Sequence, residues 1–374
     1  MIGSREFDDR DPVWMRFAGS LAVLWPGALL WLVLSAPAAM SAYCSDVGRI
    51  TFICGVTNVA DLAQAGDTKW VIGSDLPNAR DPQGSFYLFD TGKKTAVAVP
   101  PAKILIRPDK KTWRDCPGPV DLRHFSPHGL DLTRSGGTHP TLYVVNHGGR
   151  QAVEVFILDL AKRRPVFTWK GCIIAPQGFW PGAVASLPDG GIVVTSLWDP
   201  ADPDRAGKLG NGQPEGAVAE WHPGRGWSRI VGSEGMSGPN GVIVSPDGKD
   251  IYVAEWAGRR IARISRRSNP PVVDRVAVGM LPGNLRWAPS GTAVFAGGQD
   301  ATVQQVLACW DSNAVNCELP FKVYRMDPAT LGLTEVVGSG VYGVLGAGTG
   351  AIQVGTRIWV SSFRADRIGI FPVR

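Results

Sequence analysis

Two histidines in this chain stand beside consecutive apolar runs. His128 lies in Ser126-Pro127-His128-Gly129-Leu130-Asp131, just before a strand, and His147 ends the next one, in Tyr143-Val144-Val145-Asn146-His147-Gly148. Such a pair can move a proton: one ring takes it from water or a substrate hydroxyl while the other orients its neighbour and shares the charge. Taken singly, each also fits a turn that holds an imidazole for structural reasons. The other histidines offer less: His222 sits in an exposed-looking turn, His139 precedes a proline in a loop, and His124 lies upstream of the strand. Two asparagines add a second chemistry. Asn240 opens Gly241-Val242-Ile243-Val244, and Asn284, after Pro282-Gly283, opens Leu285-Arg286-Trp287. A carboxamide oxygen at a strand mouth can ligate a hard cation or hold a substrate oxygen. The competing reading is a turn asparagine bonded to its own backbone.

The elements around these residues repeat. A short apolar run ending in small or polar residues occurs at Lys69–Ser74, Thr141–Asn146, Gly191–Ser196, Asp250–Glu255, Thr292–Gly297 and Arg357–Ser362. The copies lie roughly 40 to 70 residues apart, and a period of that size with strand content alone predicts an all-β, six-bladed β-propeller over 43–374. Three copies follow a tight turn, Pro188-Asp189-Gly190, Pro246-Asp247-Gly248 or Pro289-Ser290-Gly291, in which proline presets φ and glycine supplies positive φ. The inner strands of such a ring line a funnel, so residues at strand ends face the axis. Closing the ring requires Arg49–Cys54 and Arg367–Val373 to share a blade. After about residue 45 no amphipathic helix stands out, and the inserts Asp199–Glu215 and Leu307–Pro320 read as loops on one face, as lids or pocket walls.

Composition agrees with this architecture. Among 374 residues there are 46 Gly and 29 Pro, which suits many short strands joined by turns and argues against a helical bundle. The net charge is only +5, and the densest basic run, Arg259, Arg260, Arg263, Arg266 and Arg267, is interrupted by apolar residues. It reads as a solvated strand face, so no nucleic-acid partner is expected. Phe17 to Ala42 carries no charge, follows Arg16, and ends in Ala36-Pro37-Ala38 and Ala39-Met40-Ser41, both small-x-small patterns. Residues 1–42 therefore read as a signal peptide, with a retained membrane anchor as the alternative, and the rest as exported to the periplasm or beyond. Cys44, Cys54, Cys116, Cys172, Cys309 and Cys317 all follow that segment and form no CxxC pair. Cys44–Cys54 and Cys309–Cys317 are plausible local staples, which leaves Cys116–Cys172 by elimination.

Three stretches carry a resemblance. SPHGLDL…LYVVNHGGRQAVEVFILDL resembles the paraoxonase pattern in which one histidine precedes a strand and a second ends one. PNGVIVSPDGKDIYVAEWAGRRIARI is similar to a strand pair shared with the gluconolactonase/regucalcin group, and Val323 to Val373 reads like a paraoxonase C-terminus. The resemblance implies a six-bladed propeller that hydrolyses lactones and aryl esters with calcium in its funnel. By position it makes His128 and His147 the histidine dyad and Asn240 and Asn284 calcium ligands. It makes Asp61, in Asn58-Val59-Ala60-Asp61-Leu62, part of a second, structural calcium site.

The departures from that pattern are substantial. Ala60 occupies the place of an acidic ligand, Pro181 that of a ligating asparagine, Gly182 that of the aspartate beside it, and Gly283 that of the aspartate before Asn284. Calcium takes six to eight oxygens, several of them anionic. Either other groups fill in, with Asp61 and Glu255 the candidates, or the catalytic calcium is gone. Three functions follow as expectations. The first is a lactone and aryl-ester hydrolase, with His128 as base, His147 assisting, and Asn240, Asn284 and Glu255 on substrate or oxyanion. The second is a metal-independent lyase or isomerase on a bulky aromatic substrate, for which Trp180, Trp198, Trp256 and Trp287 would suit the pocket. The third is a non-catalytic binding propeller. In each, the partner is a small apolar or aromatic molecule, with membrane association only through the N-terminal segment.

Overall fold

A computed structural model describes residues 43–77, 83–133, 135–266 and 268–373. The expected signal or anchor segment, 1–42, lies outside the described residues. Among those described, no helix is long and apolar enough to cross a membrane.

The predicted ring is present. Six sheets, five of four strands and one of five, follow one another along the chain. Their innermost strands are Val59–Gln64, Pro127–Leu132, Pro181–Ser186, Pro239–Val244, Leu281–Trp287 and Gly348–Val354. Each packs against the innermost strand of the next blade, and the last against the first. Closure follows the predicted route. Thr51–Cys54 pairs antiparallel with Arg367–Pro372, Thr51 opposite Ile370 and Cys54 opposite Arg367, so the first and last described strands share the last blade.

The six repeated apolar runs are the second strand of each blade rather than the innermost one. The innermost strands were harder to see because each carries a register shift two or three residues in: between Val59 and Leu62, Pro127 and Leu130, Pro181 and Val184, Pro239 and Val242, Pro282 and Leu285, and Gly348 and Gly350. Such a bulge bends the strand and re-aims its side chains. It also breaks the period-two pattern that marks a strand in sequence. His128 is therefore the second residue of an innermost strand, not a residue preceding one. Glycine is needed where the bulges crowd together. A Cβ at Gly241 would strike the Gly283 carbonyl, and a Cβ at Gly283 would strike the Thr349 carbonyl.

Large side chains fill the wedges between blades. Phe86, Phe125, Phe156 and Phe167 lie in one cluster, with Phe86 stacked on Phe167 at 4.7 Å between centroids. Full burial of side chains of this size stabilises the fold by about 1.5–3 kcal/mol each. The second strands end in buried polar residues, Asp75, Asn146, Ser196, Glu255, Gln299 and Ser362. Asn146, Ser196, Gln299 and Ser362 satisfy backbone atoms there, whereas Glu255 is paired with arginine side chains. Asn146 accepts from the Ser126 and Gly148 amides, Ser196 accepts from the Trp180 amide, and Gln299 donates to the Gly348 carbonyl. The small or polar endings of the repeat thus have a structural cause.

Both inserts lie where inner strands begin, and neither is wholly loop. Helix α1, Arg205–Gly210, interrupts the first, and helix α2, Val303–Asp311, opens the second and packs against α1. Thr302 caps α2, its hydroxyl accepting from the Gln305 amide while the Gln305 side chain accepts from the Thr302 amide. All three expected disulfides are formed: Cys44–Cys54, Cys116–Cys172 and Cys309–Cys317.

Candidate functional site

The bulge in Pro127–Leu132 and the end of Thr141–Asn146 bring the two histidines together. His128 Nδ1 lies 3.2 Å from His147 Nε2, and His147 Nδ1 lies 2.7 Å from Gln151 Oε1. Asn146 holds the turn between them by bonding to Ser126 and Gly148, and the His147 amide donates to the Ser126 carbonyl. The partners assign the protons. With the Gln151 oxygen accepting from His147 Nδ1–H, His147 Nε2 is left as an acceptor and His128 Nδ1 carries the hydrogen between the rings. His128 Nε2 is then the basic nitrogen.

Trp180 fixes the second ring. It stacks on His147 at 4.1 Å and 14° and meets His128 edge-on at 5.7 Å. Burial, and then repulsion from His147, push His128 down to about 3, with the Pro181 backbone opposing. Burial pushes His147 down to about 4, opposed by its bond to Gln151. Both rings are consequently neutral at ordinary pH, and the same burial makes His128 a weak base until bound water or substrate supplies a partner for its proton.

His128 opens into a cavity with about 480 Å³ of empty space, part of it continuous with solvent. Trp180, Trp198, Trp256, Trp310 and Phe363 make most of its wall, and Val306 and Leu307 line it beside Trp310 on α2. Trp180 and Trp198 stack at 4.7 Å. The polar groups on the wall are His128, Asn240, Gln299 and Thr349. Gln299 is engaged by Trp256 Nε1 and the Gly348 carbonyl. The side chains of Asn240 and Thr349 have no hydrogen-bond partner among the described residues, which leaves both available to a ligand.

The other predicted residues do not join this wall. Glu255, expected at substrate or oxyanion, is fully buried and bonded to Arg260 at 2.6 Å and Arg275 at 2.7 Å. It belongs to the polar strand ends and faces its own blade. Asn284 is buried and donates to the Ala60 carbonyl at 2.9 Å, tying two inner strands across the ring. Asp61 accepts from the Leu62 and Leu130 amides and from the Arg286 guanidinium. Of the four tryptophans expected in the pocket, Trp287 lies elsewhere, donating to the Val244 carbonyl. His222 is buried between Asp189 and Glu220 rather than exposed in a turn.

The residues present do not fit the calcium that the resemblance implies. Asp61 already has a cation in Arg286, Asn284 presents its donor end to a carbonyl, and a side chain at position 283 has no room beside Thr349. Among the described residues, no group of three or more His, Cys, Asp or Glu is arranged to hold a metal.

No family model matches the chain, and no curated protein matches it. Solved structures do. A luciferin-regenerating enzyme aligns with a TM-score of 0.51 at 9% identity, over 86% of this chain and 94% of that one. A Bacteroides thetaiotaomicron protein of unknown function aligns with a TM-score of 0.52 at 11% identity, over 87% and 76%. A Staphylococcus aureus virginiamycin B lyase aligns with a TM-score of 0.47 at 11% identity, over 87% and 99%. At such identities the likeness to the first two shows the fold alone.

Several site residues escaped the sequence reading. Trp310 sits on α2, whose one legible mark was the Thr302-x-x-Gln305 capping box. Gln151, Gln299 and Thr349 carry no motif; only the fold turns them to the site. The three disulfides mark an oxidising, non-cytoplasmic environment.

Proposed function

We propose that this is an exported, metal-independent hydrolase of aryl esters or aromatic lactones, with His128 as general base. The observation that carries the reading is the 3.2 Å contact between His128 Nδ1 and His147 Nε2, held by Gln151 and Trp180 at the wall of an aromatic cavity. The indole walls suit a flat aromatic acyl or leaving group. His128 Nε2 takes a proton from water as the water oxygen attacks the ester carbon. Asn240 Nδ2–H and the Thr349 hydroxyl donate to the oxyanion. The intermediate then expels the leaving oxygen, which recovers the proton from the histidine pair. The uncharged segment Phe17–Ala42 together with three disulfides supports export.

A panel of aryl esters and lactones tests this, run on wild type and His128→Ala with and without chelator. The expected result is hydrolysis that chelator leaves unchanged and that His128→Ala lowers by roughly 10²–10⁴. Chelator-sensitive turnover, or full activity in His128→Ala, refutes it. A second reading is a lyase or isomerase on an aromatic substrate. It is favoured by one feature: Asn240, Gln299 and Thr349, which share the cavity wall with His128, are all uncharged. Proton transfer at carbon without ester cleavage would select it.

A further inference from the structure

We propose that the guanidinium of Arg286 is the resident cation of the propeller axis, supplied by the chain itself where a metal ion would otherwise be held. Its partners form a donor set of the kind that binds a hard cation. They are one carboxylate, that of Asp61, and the carbonyl oxygens of Leu62 at 3.0 Å, Leu130 at 2.6 Å and Leu285 at 2.9 Å. These oxygens come from three inner strands, Val59–Gln64, Pro127–Leu132 and Leu281–Trp287, that belong to three different blades. Hard cations are bound by such mixtures of carboxylate and backbone carbonyl.

The site needs positive charge. Asp61 is 1% exposed, and the Arg286 side chain is 11% exposed. A carboxylate and converging carbonyls at that depth are costly without a cation. Arg286 reaches them from the far side of the ring, 225 residues from Asp61 in sequence. Its planar fork serves several oxygens at once, which an ammonium serves less well. Asn284, two residues earlier on the same strand, braces the adjoining layer by donating to the Ala60 carbonyl. The strand that supplies the cation thus also holds the first blade in register.

Two consequences separate this from an ordinary ion pair. The intact protein gains no stability from a divalent ion, and removing the guanidinium leaves an anionic oxygen cage that a small cation can enter. The test is thermal unfolding of the full chain. Wild type is expected to shift by less than about 1 °C with chelator or with about 5 mM calcium, and to purify without stoichiometric metal. Arg286→Ala is expected to lose roughly 5–10 °C. About half of that loss should return with calcium or methylguanidinium at millimolar concentration, and the rescue should vanish when Asp61→Asn is added. A chelator-dependent wild type, an Arg286→Ala as stable as wild type, no rescue, or equal rescue in the double variant would each overturn the proposal. If Arg286→Ala fails to fold, Arg286→Lys is compared with Arg286→Met. Lysine should be clearly the more stable of the two, and equal stability counts against a cation role.

Discussion

His128 Nδ1 lies 3.2 Å from His147 Nε2 although 19 residues separate them, and the contact runs on to Gln151. Gln151 Oε1, as an acceptor, places the hydrogen of His147 on Nδ1. Gln151→Leu should therefore lower kcat about tenfold through the wrong tautomer while leaving KM within about twofold. Gln151→Glu keeps an acceptor and should retain most of kcat. Steady-state kinetics on an aryl ester checks both, and a lost KM with unchanged kcat would show that Gln151 only shapes the pocket.

The lowered histidine pKa values set an acid limit on stability. The folded rings titrate near 3 and 4, whereas an unperturbed histidine does so near 6.5. Between about pH 4 and 6.5 the unfolded chain binds more protons than the folded one, so stability falls as pH falls through that window. Urea unfolding at about pH 5 and about pH 7.5 should show the drop, and His128→Gln should make it smaller. Stability that rises on acidification would contradict burial of neutral imidazoles.

Trp180 carries both packing and positioning, because it stacks on His147 and Trp198. Trp180→Ala should cost about 2 kcal/mol of stability, less than a fully buried tryptophan because the residue is only partly buried. It should also lower kcat/KM by roughly tenfold or more. Trp180→Phe should recover most of the stability. Urea titration followed by kinetics on the folded variants checks this.

Glu255 tests the distinction between buried and catalytic. Its carboxylate is buried, but Arg260 and Arg275 are partly exposed and can rehydrate. Glu255→Ala should therefore cost about 2 kcal/mol, below the cost of breaking a fully buried pair. Its kcat and KM should match wild type. A large kcat defect in stably folded protein would return Glu255 to the reaction.

The architecture could be read from local features. Six apolar runs, three proline-glycine turns and two close cysteine pairs depend on short stretches of chain, and they formed strands, turns and disulfides as expected. The histidine pair was legible for the same reason, since its two strands are consecutive in the chain and pair with each other. What lay beyond reach were contacts closed across the ring. Asp61 meets Arg286, Asn284 meets the Ala60 carbonyl, and Trp310 lines the same cavity as His128 only because six blades are wrapped into a circle. Glu255 looks the same in sequence whether it faces a substrate or two arginines. The sequence by itself thus determined a closed propeller bearing two adjacent imidazoles. Only the tertiary structure decided that a guanidinium stands on the axis and that tryptophans enclose the base, because charge compensation and burial depend on residues hundreds of positions apart.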